Sequence, residues 1–331
     1  MKIDARLRDT WETVAEDVRS CEEIGFDGAW NAENTTDPFP GLALAAEHSA
    51  RLELGPSVAI AFARTPMTVA NPAWHLQRYS GGRLVLGLGS QVRPHITRRF
   101  SMPWSRPAAR MHEFVTAVRA IWHSWETGEK LEHRGAFYDH SLMTPAFVPQ
   151  ANPYGPPKVY LAAVGPRMLR VAAEVADGLF AHPFLTERYL REVILPEVSL
   201  YRPDGATPLE IALSPFVALD ERDREAVRRQ ISFYGSTPAY KPVLALHGWS
   251  DLQGELNALS KQGRWDEMVP LVDDEILDAM CASGTEAEVA ATLRERFGDV
   301  AHRVRFNRPG ETPSPSRYAG LVEALRGAEQ A

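Results

Sequence analysis

Short apolar runs and longer segments with an apolar stripe at helical spacing follow one another along most of the chain. In the stretch 52–90, one apolar run is followed by a loop, an amphipathic segment and a second run, VLGLGS. Such units recur at a spacing of roughly 25–30 residues, which is typical of βα units. Strands are predicted at residues 2–7, 28–31, 52–58, 83–88, 159–163, 178–182, 210–217 and 303–307.

Helical periodicity fills the intervals between these strands. In the first interval, Trp11, Val14, Val18 and Cys21 form one apolar stripe. In the third, Thr65, followed by a proline, has the N-cap chemistry that starts a helix. Helices are predicted at residues 10–24, 38–50, 105–125, 166–176, 187–200, 222–233, 273–282, 286–297 and 317–326, with a further one starting at residue 66.

Eight strands with intervening helices predict an α/β fold, namely a (β/α)8 TIM-type barrel with insertion segments. An open, doubly wound sheet is the alternative. We expect a single domain, 1–331, that is interrupted by insertions near 127–157 and 236–268. The first insertion is rich in proline, glycine and aromatic residues, and the second is predicted to be irregular and to cover the site.

Composition narrows the class of protein. The 331 residues carry a formal charge of −7 at pH 7, which argues against nucleic acid binding. The two cysteines, Cys21 and Cys281, cannot form a disulfide framework. No apolar run approaches a membrane span, and the N-terminus lacks the apolar centre of a signal peptide. We expect a soluble cytoplasmic protein with a small-molecule substrate and no membrane partner, and we expect a homodimer.

Two glycine-containing strand ends are candidate ligand sites, because ligands bind at the carboxyl ends of parallel strands. Gly87 and Gly89 would let backbone approach a phosphate or an aromatic ring, although a tight turn explains them equally well. After the fifth strand, Val164 and Gly165 precede a helix that starts at Pro166. Such a turn exposes backbone N–H groups to a phosphate, and it is equally typical of a plain βα connection.

Polar residues at strand ends add candidate chemistry. Glu33 follows the second strand, and helix capping does not explain it as it explains its neighbours. His182 stands just past the sixth strand, but no two histidines have metal-ligand spacing on one helix, so no metal site is predicted. Arg167 adds positive charge to its helix start. Arg98, Arg99 and Arg106 form a basic cluster that is either a solvated face or a contact for an anionic tail.

Several separated motifs, in the same order, resemble those of the bacterial-luciferase-like oxidoreductases. They are EEIGFDGAWNAEN, DPFPGLALAAEHSARLELGPSVAIAFARTPMTVANPA, YSGGRLVLGLGS and PPKVYLAAVGPRMLRVAAEVADGL, with a late echo in DDEILDAMCASGT. The stretch GSQVRPHITRRFSMPWSRPAARMHEF is most similar to the branch that uses coenzyme F420, a 5-deazaflavin, in place of FMN. The resemblance covers nearly the whole chain and implies a luciferase-like TIM barrel that holds a flavin-type ring in its C-terminal mouth.

The resemblance also implies residue roles. A bulge with a non-proline cis peptide, which supports the back face of the ring, falls at Ser57–Val58. Asn34 stands where the branch has a histidine, and Val92 stands where a related sugar-phosphate dehydrogenase has an acidic glutamate, so sugar-phosphate chemistry is not expected. Together with the helix start, the candidate cofactor-binding residues are Glu33, Asn34, Pro56, Ser57, Val58, Ser90, Ala163, Val164, Gly165, Pro166 and Arg167.

The function implied by the resemblance is that of an F420-dependent oxidoreductase, which transfers a hydride between C5 of the deazaflavin and a small organic substrate. Glu33 and His182 are the candidate catalytic residues. Glu33 is expected to be the polar contact to the cofactor, and His182 is favoured over it as the substrate-side acid. One alternative is an FMN-dependent luciferase-like monooxygenase. The other is a non-catalytic flavin-binding protein, which gains support from Asn34 and Val92 because they remove two acid/base groups of the family.

Overall fold

The computed structural model describes residues 1–8, 10–310 and 314–327. The strands are β1 (Lys2–Arg6), β2 (Gly28–Asn31), β3 (Glu53–Pro56), β4 (Ala59–Ile60), β5 (Val85–Gly89), β6 (His133–Arg134), β7 (Asp139–His140), β8 (Lys158–Ala163), β9 (Gly178–Ala181), β10 (Glu210–Leu213), β11 (Phe216–Ala218), β12 (Cys281–Ser283) and β13 (Arg303–Arg305). The α-helices are α1 (Val14–Ile24), α2 (Pro38–His48), α3 (Pro66–Tyr79), α4 (Pro107–Thr127), α5 (Pro166–Val175), α6 (Glu187–Tyr189), α7 (Leu195–Tyr201), α8 (Glu221–Gly235), α9 (Lys241–Leu246), α10 (Ser250–Lys261), α11 (Trp265–Met268), α12 (Asp274–Met280), α13 (Glu286–Phe297) and α14 (Ala319–Gly327).

Nine strand segments form one parallel sheet in the order β3-β2-β1-β13-β10-β9-β8-β5-β4. The two ends of this order, β3 and β4, are one barrel strand that is interrupted at residues 57 and 58. Leu54 of β3 also bridges to Leu84 beside β5, so the sheet closes on itself. With β3 and β4 counted once, the barrel has eight strands. The predicted (β/α)8 TIM-type barrel is therefore confirmed, and the open sheet is wrong.

Side chains from alternate strand positions fill the inside of the barrel. Trp30, Val85, Tyr160 and Ala212 are buried there, and Phe180 packs against them. The rings of Trp30 and Phe180 meet edge to face with their centroids 5.2 Å apart. Because this interior is filled, a ligand has room only beyond the carboxyl ends of the strands, which we call the barrel mouth.

Helix starts follow the local signals in the sequence. Thr65 forms a capping box with Thr68 at the start of α3, as its position before a proline predicted. Along α1, Val18 and Cys21 are fully buried, as expected for a core-facing stripe. The prediction that Trp11 shares this stripe is wrong. Its side chain is 44% exposed, because it lies in a 3₁₀ turn before α1 and not in the helix itself.

The segment 236–268 was predicted to be irregular, and this is wrong because it contains α9, α10 and α11. The helices α9 and α11 are only six and four residues long, and α10 buries only Gln253 and Leu256, so the apolar period is weak in the sequence. The helix predicted at 273–282 ends at Met280, and β12 follows and pairs with β11. None of the described helices combines the length and the apolar character that crossing a membrane requires.

Candidate functional site

A cleft of about 1070 Å³ opens at the barrel mouth, beside the ends of β5 and β8. Three segments supply most of its walls: residues 90–93 after β5, residues 104–112 around the start of α4, and residues 164–174, which include most of α5. Ala239 completes the lining. Five of the predicted cofactor-binding residues line it, namely Ser90, Val164, Gly165, Pro166 and Arg167. We refer to this space as the basic cleft, for the charges described below.

The start of α5 offers backbone donors to the cleft. Gly165 is the N-cap residue, with φ 78° and ψ 156°, and a Cβ on it would meet no atom within 4 Å. Among the described residues, the N–H groups of Val164, Gly165 and Arg167 have no hydrogen-bond acceptor. Free N–H groups at the positive end of a helix form an anion site, and phosphate is the anion that such sites commonly hold.

Basic side chains surround this helix start. Arg93, Arg167 and Arg170 all line the cleft. Glu174 is the one acidic side chain in the described lining, and it is already engaged, since its Oε1 lies 2.7 Å from Arg170 Nε and its Oε2 lies 3.8 Å from His112 Nε2. Arg93 and Arg167 have no acidic partner among the described residues. The cleft therefore carries net positive charge that the protein itself does not neutralise.

The bulge between β3 and β4 lies next to Gly89. The Ser57–Val58 peptide bond is cis, as the resemblance implied. A Cβ on Gly89 would lie 2.5 Å from Val58 Cγ2, and one on Gly87 would lie 2.0 Å from the Pro56 carbonyl oxygen. Both glycines thus lie within β5 and make room for the neighbouring strand and its bulge. This close packing explains the Gly-x-Gly pattern without a ligand cradle.

Glu33 connects the loop after β2 to the segment after β4 through hydrogen bonds. Its Oε2 accepts a hydrogen bond of 2.6 Å from the Ile60 N–H, and Arg64 Nη1 lies 2.6 Å from the same oxygen. Arg64 also pairs with Asp37 at 2.8 Å. Burial acts to lower the pKa of Arg64, but the bonds to Glu33 and Asp37 outweigh it and raise that pKa. Glu33 is therefore an ion-paired acceptor that positions the segment after β4, while Asn34 beside it is exposed.

His182 lies in an aromatic cluster past the end of β9. Its ring stacks on Tyr240, with centroids 4.4 Å apart, and meets the edge of Tyr234 at 4.7 Å. Its Nδ1 accepts a hydrogen bond of 3.1 Å from the Phe184 N–H, which leaves the proton on Nε2. Burial lowers the pKa of His182 to about 4. Near neutral pH it is thus a neutral hydrogen-bond donor and not an imidazolium acid.

Sequence reasoning missed two sets of basic residues. Arg305, on β13, donates from Nη1 to Ser57 Oγ at 3.0 Å and from Nη2 to Ser214 Oγ at 3.5 Å. A charged residue at alternate positions of a strand, as in RVR, was the available signal. Arg93 and Arg170 of the basic cleft were missed as well. Of the predicted cluster, Arg106 lines the cleft and Arg98 and Arg99 do not. Arg99 instead donates to the Asn34 carbonyl at 2.7 Å.

Comparison with known proteins gives a consistent picture. A family model described as luciferase-like monooxygenase matches residues 3–303. An uncharacterised protein of Mycobacterium tuberculosis is 49% identical over 313 residues, which cover 92% of this chain and 92% of that protein. A 5,10-methylenetetrahydromethanopterin reductase of Archaeoglobus fulgidus is 28% identical over 294 residues, which cover 84% of each.

A solved structure supports the fold independently. The coenzyme F420-dependent tetrahydromethanopterin reductase of Methanopyrus kandleri aligns with a TM-score of 0.77 at 20% identity, over 98% of this chain and 97% of that chain. At this level of identity the likeness concerns the fold. The family match and the barrel geometry together indicate an oxidoreductase with a flavin or deazaflavin cofactor.

Proposed function

The chain belongs to the luciferase-like monooxygenase family, and we propose that within it this protein is an F420-dependent oxidoreductase that acts on a small organic substrate. The bound cofactor would supply hydride transfer at C5 of its deazaflavin ring. The protein would bind and orient cofactor and substrate, and would keep water away from the ring. Support for F420 over FMN comes from the charge of the basic cleft.

The observation that carries the proposal is the unneutralised charge of Arg93 and Arg167 beside the free N–H groups of α5. Both FMN and F420 have a phosphate that suits these N–H groups. Only F420 continues past the phosphate into an acidic tail, and a tail needs basic side chains beyond the phosphate site. The volume of the cleft, about 1070 Å³, and its arginines fit a ligand with charges at both places.

The other candidate residues receive supporting roles in this proposal. Pro56, Ser57 and Val58 would support the back face of the ring, with Ser90 and Ala163 at the phosphate side. Glu33 would hold the segment after β4 in position through Ile60 and Arg64, and would not itself give up a proton. His182 would donate a hydrogen bond to the substrate from Nε2, consistent with its neutral state.

Direct titration tests the choice of cofactor. Purified protein would be titrated with F420, with FMN and with the deazaflavin riboside that lacks both phosphate and tail, and tryptophan quenching would be followed. We expect F420 to bind at least tenfold more tightly than FMN, which corresponds to about 1.4 kcal/mol, and to lose affinity as salt rises. Tenfold tighter binding of FMN would reverse the proposal.

An FMN-dependent monooxygenase is the second candidate, because the matching family model is described by that activity. Product formation that requires oxygen and reduced FMN would favour it. A protein that binds F420 but exchanges hydride with none of a broad substrate panel would instead support the non-catalytic flavin-binding alternative.

We also propose that the enzyme acts in the cytoplasm as a homodimer and that it has no nucleic acid partner. The net charge of −7 supports the last point, because nucleic acid binding surfaces are basic. Sedimentation velocity would test the oligomeric state: a single species at twice the chain mass is expected, and a monomer at working concentrations would contradict it.

A further inference from the structure

Two arginines of β13, two residues apart, face the inside of the barrel but have very different partners. Arg303 is fully buried, and its Nε and Nη2 bind the two oxygens of Asp4 at 2.7 and 2.9 Å. Its Nη1 binds Glu53 at 2.7 Å. Arg305 has no carboxylate within ion-pair distance among the described residues, and its hydrogen bonds go to the hydroxyls of Ser57 and Ser214.

The position of Arg305 makes this lack of a counter-ion significant. Burial and the nearby charge of Arg6 lower the pKa of Arg305 to about 10, so it still carries its charge near neutral pH. The charge of Asp4 acts to raise the pKa of Arg305, but both carboxylate oxygens of Asp4 are already bonded to Arg303. A guanidinium withdrawn from water without an anionic partner is unfavourable, and such sites are commonly completed by a bound anion.

A small cavity of about 30 Å³ lies against Arg305 at the barrel mouth and is lined also by Ser57, Phe180 and Ser214, which gives room for a carboxylate group. Part of the Arg305 side chain is still accessible, and Ser57, which it contacts, belongs to the bulge that separates β3 from β4. Tyr234 stands close enough that the charges of Arg6 and Arg305 both act to lower its pKa, although burial dominates and raises it. The rings of His182 and this tyrosine meet nearly perpendicular to one another. A cationic side chain and an aromatic cluster therefore lie near one another at the barrel mouth.

We propose that Arg305 is the anion-binding residue of the substrate pocket, and that the substrate is a small organic acid whose carboxylate pairs with this guanidinium while its unsaturated or aromatic body lies against Tyr234 and His182. A planar guanidinium binds a carboxylate through two parallel hydrogen bonds, which would also fix the orientation of the substrate. The assignment of this pocket to a substrate rests on the proposed function, whereas the affinity of Arg305 for a carboxylate does not.

Matched acids and amides test the proposal, because they differ in charge and hardly in shape. Benzoate with benzamide and cinnamate with cinnamamide would be titrated into the protein by calorimetry, with and without saturating F420. We expect each acid to bind at least tenfold more tightly than its amide. Arg305→Met should abolish this preference, and Arg305→Lys should restore part of it. Arg188→Met, which removes an exposed arginine paired with Glu192 on an outer helix, should leave it unchanged.

Each outcome is informative about one proposal at a time. If F420 binds but neither acid is preferred over its amide in the unmodified protein, the anion site is wrong and the cofactor proposal stands. If the acids are preferred while F420 fails to bind, the anion site stands and the cofactor proposal is wrong. If Arg305→Met keeps the acid preference but weakens reduced F420 more than oxidised F420, the guanidinium serves the cofactor and our assignment is overturned. If Arg305→Met fails to fold, Arg305→Lys carries the test, because a weaker acid preference in that variant still assigns the anion to this side chain and not to the basic cleft.

Discussion

The two ends of the barrel differ in how far their buried charges are neutralised by other side chains. At the closed inner end, Arg303 is enclosed by two carboxylates, and Glu210 accepts hydrogen bonds from Lys158 and from the Tyr160 hydroxyl. At the mouth, Arg305 has only hydroxyl partners, and three arginines of the basic cleft, Arg93, Arg106 and Arg167, have no acidic partner among the described residues. Charges neutralised inside the protein maintain the fold, whereas charges left over indicate where a ligand of opposite charge binds.

The same contrast appears in the choice of small residues. At the inner wall, Gly28 lies so close to Asp4 Oδ1 that a Cβ would stand 2.6 Å from it, so this glycine is required by internal packing. At the cleft, a Cβ on Gly165 would meet nothing, although its φ of 78° is equally restrictive. A glycine that faces open space at a helix start leaves room for a ligand to approach the backbone.

The largest expected effect contrasts the two arginines directly. Arg303→Met should reduce the free energy of unfolding by about 3–5 kcal/mol, because it leaves Asp4 and Glu53 without their partner in the interior. Arg305→Met should change it by less than about 1 kcal/mol, since no ion pair is lost. Chemical denaturation of both variants beside the parent protein measures this. Equal losses would mean that Arg305 is as structural as Arg303, and the contrast between the two ends would fail.

The loss of stability at acid pH tests whether burial keeps His182, at the barrel mouth, neutral. The pKa of His182 is about 4 in the folded protein and about 6.5 when unfolded, so the unfolded state binds the extra proton between these values. Stability from this residue is fully present above about pH 6.5 and is lost as pH falls towards 4, by up to about 3 kcal/mol. In His182→Phe the loss between pH 7 and 4 should shrink by that order.

Two features make the His182 measurement specific. Phenylalanine keeps an aromatic ring against Tyr240, so packing is largely preserved. His123→Gln, which removes an exposed histidine paired with Glu129, is the matched control and should follow the parent curve. An unchanged acid limb in His182→Phe would show that His182 is not kept neutral by burial, and would reopen its role as an imidazolium acid.

The fold was more accessible from sequence than the site. Barrel strands are short apolar runs, and the long helices bury continuous stripes such as Val18 and Cys21, so local pattern determines both. The helix start at Gly165 was also visible, because proline and glycine specify it locally. Within 236–268, α9 and α11 were missed because they are short, and α10 was missed because it buries only two residues and so lacks a clear apolar stripe. The 3₁₀ turn at Trp11 was missed because it runs directly into α1 and continues the same polar and apolar pattern.

What the sequence could not reveal is pairing between distant segments. Glu33 looked like a candidate acid until Arg64, 31 residues away, was found paired with it. Arg303 and Arg305 are the same residue type on the same strand, so the sequence does not distinguish their roles. Only the closed barrel brings Asp4 next to Arg303, although the two residues are 299 positions apart in the chain. Whether a charged side chain lacks an oppositely charged partner depends on the whole fold, so no local sequence pattern reveals it.

Gly165→Val sharpens the comparison at the cleft. Its side chain would project into the space where a phosphate approaches the α5 N–H groups, and its positive φ is costly for a branched residue. We expect F420 affinity to fall about 30-fold, or about 2 kcal/mol. Gly128→Val is the matched control, with φ 76° and no atom within 4 Å of its Cβ. It should lose similar stability but keep its affinity. Equal affinities for both variants would mean that Gly165 serves only as a turn.

The smallest expected effect separates the tail from the phosphate within the basic cleft. Arg93→Ala and Arg167→Ala should each weaken F420 about fivefold, or about 1 kcal/mol, because each removes one charge-assisted contact at a partly exposed site. The deazaflavin riboside, which lacks phosphate and tail, should bind both variants as it binds the parent protein. The salt dependence of F420 binding should also become shallower. Arg188→Ala, an equal change in net charge away from the cleft, should alter neither. If F420 and the riboside weaken together, these arginines support the shape of the site, and their charge is not what selects the cofactor.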